Sequence, residues 1–112
     1  MEKLECRNVE KHVAQESEGS GKFVALIFTA VFNNAKCNAC IEDIKSIEQN
    51  FSDSIKFYEY DCTHDYYRMD KYELISLPMI FVFDKNGIIK SFDHYDAATT
   101  TKILETILKQ KK

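Results

Sequence analysis

The sequence predicts an α/β protein with a central mixed sheet of four to five strands and helices on both faces. Three observations carry this. Strand-like and helix-like stretches alternate, and the chain then closes with a hairpin and a last helix, which is the order of a mixed sheet covered on both sides. Two apolar runs, Phe23-Val24-Ala25-Leu26-Ile27-Phe28 and Met79-Ile80-Phe81-Val82-Phe83, have the length and residue types of buried strands. Two further stretches repeat apolar residues at helical spacing: Ile41, Ile44, Ile47 and Phe51, then Ile103, Leu104, Ile107 and Leu108.

Each element follows from local chemistry. Residues 3–6, ending in Cys6, suit a short edge strand. Asn8 stands where a helix cap belongs, before Val9, His12 and Val13, and that helix should run to about Glu18. Gly19-Ser20-Gly21 breaks it and the first apolar run follows. Residues 29–34 end in Asn33 and Asn34, which favour turns. The next helix opens near Cys37 and should end near Asn50. Residues 54–61 set Ile55, Phe57 and Glu59 against Lys56, Tyr58 and Tyr60, a strand with one face more buried than the other. Over 65–74 the pattern weakens, with Tyr66, Met69 and Tyr72 or Glu73 lining one side of a short helix. Leu77-Pro78 leads into the second apolar run, Asp84-Lys85-Asn86-Gly87 supplies a turn, and 88–94 returns antiparallel. Asp96 caps the last helix, whose negative end meets Lys109, Lys111 and Lys112.

The totals bound the function. A chain of 112 residues, 45% apolar and 29% charged, fits one soluble globular domain spanning 1–112. A formal charge of -3 argues against nucleic acid or an anionic membrane surface as the main partner. No run approaches a membrane span. The N-terminus lacks the basic patch and apolar run of a secretory signal, so a cytoplasmic location is expected. In that reducing compartment the close pair Cys37 and Cys40 points to redox or metal chemistry, and Cys6 and Cys62 read as small apolar fillers.

Two thiols three positions apart at the start of a helix are neighbours that can close a reversible disulfide. The free amides of a helix start, with Lys36 alongside, favour a thiolate at Cys37, while Glu42 and Asp43 oppose it; a moderately acidic Cys37 is expected. Cys40, one turn on, should keep its proton. His64 and His94 are the candidate bases, each otherwise a surface histidine. A zinc site from Cys37 and Cys40 with Cys62 and His64 is the competing chemistry, disfavoured because such sites use two close pairs on flexible turns. Tyr58, Tyr60, Tyr66, Tyr67 and Tyr72 read as rim packing with wet hydroxyls.

Over nearly its whole length the chain resembles the thioredoxin family. The likeness rests on Cys37-Asn38-Ala39-Cys40 after an apolar strand, Leu77-Pro78 before a strand-turn-strand ending, and the closing amphipathic helix. It implies the thioredoxin fold and thiol-disulfide exchange on protein disulfides, with Cys37 as nucleophile and Cys40 as resolving thiol. It implies a substrate groove of Lys36, Asn38, Ala39, Leu77, Pro78 and His94, with a cis bond before Pro78 and the backbone beside Leu77 pairing with the substrate chain. No bound cofactor or metal is implied, and a partner reductase would recycle the disulfide.

Several residues depart from that family. Lys36 replaces the usual Trp, Asn38-Ala39 replaces Gly-Pro, Ile27 replaces a buried Asp, Met79 replaces a Thr, and Asp93-His94-Tyr95 replaces a glycine. About four extra residues between Ala30 and Cys37 predict a longer loop before the nucleophile. These departures favour a second reading, a thioredoxin-like module that binds a protein partner in a larger assembly.

Overall fold

The first apolar run becomes the middle of the sheet, and everything else is placed relative to it. The computed structural model describes residues 1–5 and 8–110. Its elements are β1 (Glu2–Leu4), α1 (Val9–Ser20), β2 (Phe23–Thr29), α2 (Asn34–Glu48), β3 (Ile55–Asp61), α3 (Tyr66–Lys71), β4 (Met79–Asp84), β5 (Gly87–Asp93) and α4 (Ala97–Gln110), with short 3-10 turns at Val31–Asn33 and Gln49–Phe51. The five strands lie in the order β1-β3-β2-β4-β5. β1, β3 and β2 are parallel; β4 is antiparallel to β2, and β5 to β4.

β2 is buried from Val24 to Thr29 because both of its faces are covered. Val24, Leu26 and Phe28 pack with Val9, Val13, Tyr58 and Phe81 on one side. Ala25 and Ile27 pack with Ile44, Ile80, Leu104 and Ile107 on the other. Each large side chain so buried contributes about 1.5–3 kcal/mol. The same sandwiching corrects the one-sided reading of β3. Ile55 and Phe57 enter the second cluster while Tyr58 and Tyr60, at 1% and 9% exposure, enter the first. These two tyrosines are core residues and not rim packing, since β3 is an interior strand under helices on both sides.

The punctuation is close to that expected. α1 runs through Gly19 to Ser20, and Gly21, at φ 72°, ends it with its N–H on the Ser17 carbonyl at 2.9 Å. The last turn tolerates one glycine, so the break falls two residues later than expected. At α4 the Asp96 carboxylate accepts the Thr99 N–H at 2.7 Å, and the buried stripe is Thr100, Leu104 and Ile107, with Ile103 and Leu108 half-buried. The edge strand is Glu2–Leu4, one residue earlier than expected at its start; Cys6, Lys111 and Lys112 lie outside the described residues. No helix among the described residues is long and apolar enough to cross a membrane.

Strand directions gather one set of connections at one end of the sheet. The carboxyl ends of β2, β3 and β5 and the amino end of β4 meet there. Open α/β sheets place their sites at that end.

Candidate functional site

β2 delivers the chain to this end, and Ala30 continues it in extended conformation before the 3-10 turn Val31–Asn33. α2 then begins at Asn34, so the residues expected to lengthen a loop instead extend the helix. About four extra residues are close to one helical turn of 3.6, which a helix absorbs without a bulge. Cys37 is therefore the fourth residue of α2, a full turn behind the exposed helix start.

That displacement decides the surroundings of the thiols. Cys37 is 3% exposed, and Cys40 and Cys62 are fully buried. Cys37 joins Ala30, Cys62 and Leu77 in the cluster on the α1 side, whereas Cys40 joins Ile41, Ile44 and Ile80 in the cluster on the α4 side. The Cys62 thiol donates to the Thr29 carbonyl at 3.2 Å, and the next residue, Ala30, packs with Cys37 in one cluster.

Burial pushes the Cys37 thiol up; the Ala30 N–H pulls it down, and the charges of Asp61 and Glu59 add to the rise. The expectation of a moderately acidic Cys37 is overturned, because the free amides of α2 belong to the turn before it and the sulfur points into the core. Burial pushes Cys40 to about 12, helped by Cys37, Asp43 and Glu59. Burial and Asp61 raise Cys62 to about 11.

Asn33 holds the position at the helix start. It is the N-cap residue of α2, and its side-chain amide donates to the carbonyl of Leu77. The Leu77-Pro78 bond is cis, Leu77 is 3% exposed and Pro78 is buried. Of the residues read as a groove, Leu77 meets the start of α2 through Asn33, while Lys36, Asn38 and Ala39 lie exposed along the helix. His94 is placed elsewhere. Its Nε2 is 2.8 Å from Asp43 Oδ2 and its Nδ1 3.2 Å from Thr100 Oγ1, and its side chain is 6% exposed. It ties the end of β5 to α2 and α4 instead of lining a surface. His64 is exposed at the β3–α3 connection whereas the Cys62 thiol is buried and bonded to Thr29, and no group of three or more His, Cys, Asp or Glu among the described residues is arranged to hold a metal ion.

The β3–α3 connection carries a network that the sequence did not announce. Arg68, 7% exposed, donates through Nε and Nη2 to Glu10 at 2.9 and 2.6 Å and through Nη1 to Asp65 at 2.7 Å. Tyr72 donates to Glu10, and Tyr60 donates to Asp65 at 2.6 Å. The buried side of α3 is thus Arg68, with Met69 and Tyr72 half-buried against the core, and Tyr66 faces outward. Burial by itself raises the Glu10 carboxyl, but the Arg68 and Tyr72 hydrogen bonds outweigh it and hold the group at about 2. Asp65 is likewise lowered: burial opposes, and Tyr60 and Arg68 prevail.

Two residues at the site escaped the sequence reading, Asn33 and the exposed Phe32 before it. A count of three positions on from Ala30, with no insertion allowed before it, would have found both.

No family model matches the chain, and no curated protein does. Solved structures do. The germline-specific thioredoxin Deadhead of Drosophila melanogaster is 18% identical, with a TM-score of 0.72 over 92% of this chain and 97% of that one. A poplar thioredoxin h is 15% identical, with a TM-score of 0.81 over 96% of this chain and 95% of that one. The chain has the thioredoxin fold, as its sequence implied.

Proposed function

We propose that this thioredoxin-fold chain works as a protein-binding module whose cysteine pair is sealed in the resting conformation. The observation that carries the reading is the exchange of places at the start of α2: Asn33 sits against the Leu77 carbonyl, and Cys37 lies one turn deeper at 3% exposure. If Asn33 is matched to the first cysteine of thioredoxins, Phe32 falls where those proteins carry their Trp and Lys36 falls on the second cysteine. The apparatus for presenting a partner chain beside Pro78 is then retained without a thiol at its centre. Asn33 engages the Leu77 carbonyl, and a partner strand pairing there would replace that bond.

One observation favours a second reading, a thiol-disulfide oxidoreductase. Cys37 and Cys40 stand three apart on α2, and the Ala30 backbone N–H favours the thiolate form of Cys37. In that reaction the Cys37 thiolate attacks a protein disulfide, forming a mixed disulfide and releasing one substrate thiolate. Cys40, deprotonated, attacks the Cys37 sulfur, closes the Cys37–Cys40 disulfide and releases the second substrate thiol. Two electrons pass to the substrate, and a partner reductase restores the dithiol. The first turn of α2 must open before this can begin.

Insulin-disulfide reduction with dithiothreitol as reductant, run beside iodoacetamide labelling of the native chain at pH 8, separates the two. The module reading expects Cys37 to label on the order of 100-fold more slowly than in denaturant, and turnover to be unchanged by Cys37→Ser. Prompt labelling of Cys37, together with turnover lost in Cys37→Ser and a mixed disulfide trapped by Cys40→Ser, would overturn it in favour of the enzyme.

A further inference from the structure

Seven large hydrophobic side chains stand exposed among the described residues, and six of them, Val31, Phe32, Tyr66, Tyr67, Ile75 and Tyr95, lie on the connections at one end of the sheet. Their exposures run from 63% for Val31 to 97% for Ile75. The seventh, Ile88, is in the hairpin at the opposite end. Three cross-connection hydrogen bonds make the six into one arc. The Val31 N–H donates to Thr63 Oγ1 at 2.9 Å, Asn33 donates to the Leu77 carbonyl, and Ser76 donates to Asp93 at 3.3 Å. The arc therefore runs from the α3 tyrosines past Phe32 to Ile75 and Tyr95. Beside it lies an open groove of about 630 Å³ floored by Tyr60, Asp61, Asp65 and Arg68.

Concentration of apolar surface at one end, with polar residues elsewhere, marks an interaction site. Its charge says what kind of partner fits. Asp61, Glu73, Asp93 and Asp96 border the arc, against Lys36, Lys3 near Asp61, and Lys71 beside Tyr67, whose charge Glu10 partly offsets at 3.9 Å. Arg68 adds no positive charge to this face, because Glu10 and Asp65 enclose it. Tyr66, 73% exposed, offers a ring face that can accept a cation, as the neighbouring Tyr67 does for Lys71 at 5.7 Å.

We infer that this end of the sheet docks an extended protein segment in which apolar residues alternate with lysine or arginine. The apolar side chains seat on Phe32, Ile75 and Tyr95, and the cations meet the carboxylates and the Tyr66 ring. The inference rests on the module reading above and adds the partner's chemistry to it.

Fluorescence anisotropy with two labelled decapeptides, one alternating Leu with Lys and the other Leu with Glu, tests it on the full chain. The Lys peptide should bind roughly tenfold tighter at low salt and lose most of that advantage at high salt. Glu73→Gln combined with Asp93→Asn should cut the advantage several-fold, and Phe32→Ala with Ile75→Ala should weaken both peptides. All of these positions are exposed, so folding is retained. Equal affinity for the two peptides, or Lys-peptide binding indifferent to Phe32→Ala with Ile75→Ala, would overturn the inference and leave the sealed dithiol untouched. Insulin turnover that depends on Cys37 would instead overturn the module reading and leave the charge preference standing.

Discussion

The two connections that leave β2 and β3 at this end lie side by side and are held by different means. The β3–α3 connection is clamped by charge: a buried guanidinium joins Glu10 and Asp65, and two tyrosine hydroxyls complete the set. The β2–α2 connection is held by two neutral hydrogen bonds, from the Val31 N–H and the Asn33 amide, with Val31 and Phe32 exposed above them. Hydrogen bonds with ionised partners are roughly twice as strong as neutral ones. On that ground the α3 side is the firmer wall, and the turn before α2 is the easier of the two to open. Ala30, where that turn begins, and Leu77, to which Asn33 is bonded, pack in one cluster with Cys37, so the wall positions a partner and the turn borders the thiol.

The largest effect should come from the wall. Arg68→Ala leaves Glu10 and Asp65 without their cation, and urea unfolding should show a loss of about 3 kcal/mol, the lower part of the range for breaking a buried pair. A loss no greater than that of Asn33→Ala would break the comparison. The pH dependence sharpens it. Glu10 is held at about 2 in the folded chain against an ordinary 4.5, so the unfolded chain takes up the proton first. The stability from this group is complete above about 4.5 and falls as pH drops from there toward about 2. Urea midpoints at pH 7, 4 and 3 should decline in the native sequence and decline less steeply in Arg68→Ala; parallel declines would remove Glu10 from the network.

A middle-sized effect tests the depth of the pair. Cys40→Ser puts a hydroxyl among Ile41, Ile44 and Ile80, where its outlet is a helix carbonyl, and should cost about 1–2 kcal/mol. Asn38→Ser, on the exposed side of the same turn, should change stability by less than about 0.5 kcal/mol. Equal costs would mean that Cys40 is more open than its complete burial indicates.

The sequence displayed the fold because the fold rests on local signals: two apolar runs, two helical stripes, one hairpin turn and one capping aspartate. Those signals survive without knowledge of distant contacts. The site was less legible for the same reason. Cys37 and Cys40 have the spacing of a reactive pair, but whether such a pair faces solvent depends on where the helix begins. Asn33-Asn34 permits either a loop or a helix start, and the contact that holds Asn33 at the helix start, with the Leu77 carbonyl, lies 44 residues away. Arg68 was unreadable because its principal partner Glu10 is 58 positions distant. The burial of Tyr58 and Tyr60 depends on β3 being interior, which follows from β1 pairing on its far side.

A further effect, on the order of that expected for Cys40→Ser or below it, bears most directly on the turn. Asn33→Ala removes the donor to the Leu77 carbonyl, a loss of about 1 kcal/mol. Because the bond fastens the first turn of α2, the loss falls on the local opening that uncovers Cys37 and not on global unfolding alone. A destabilisation of that size corresponds to about a fivefold rise in the open population, and iodoacetamide labelling of Cys37 should quicken by about that factor under native conditions. Cys62, on β3's exit and held at the Thr29 carbonyl and not on α2, should label no faster. Labelling of both thiols by equal factors would show that they are exposed only by unfolding of the whole end, and the turn would then be no easier to open than the wall beside it.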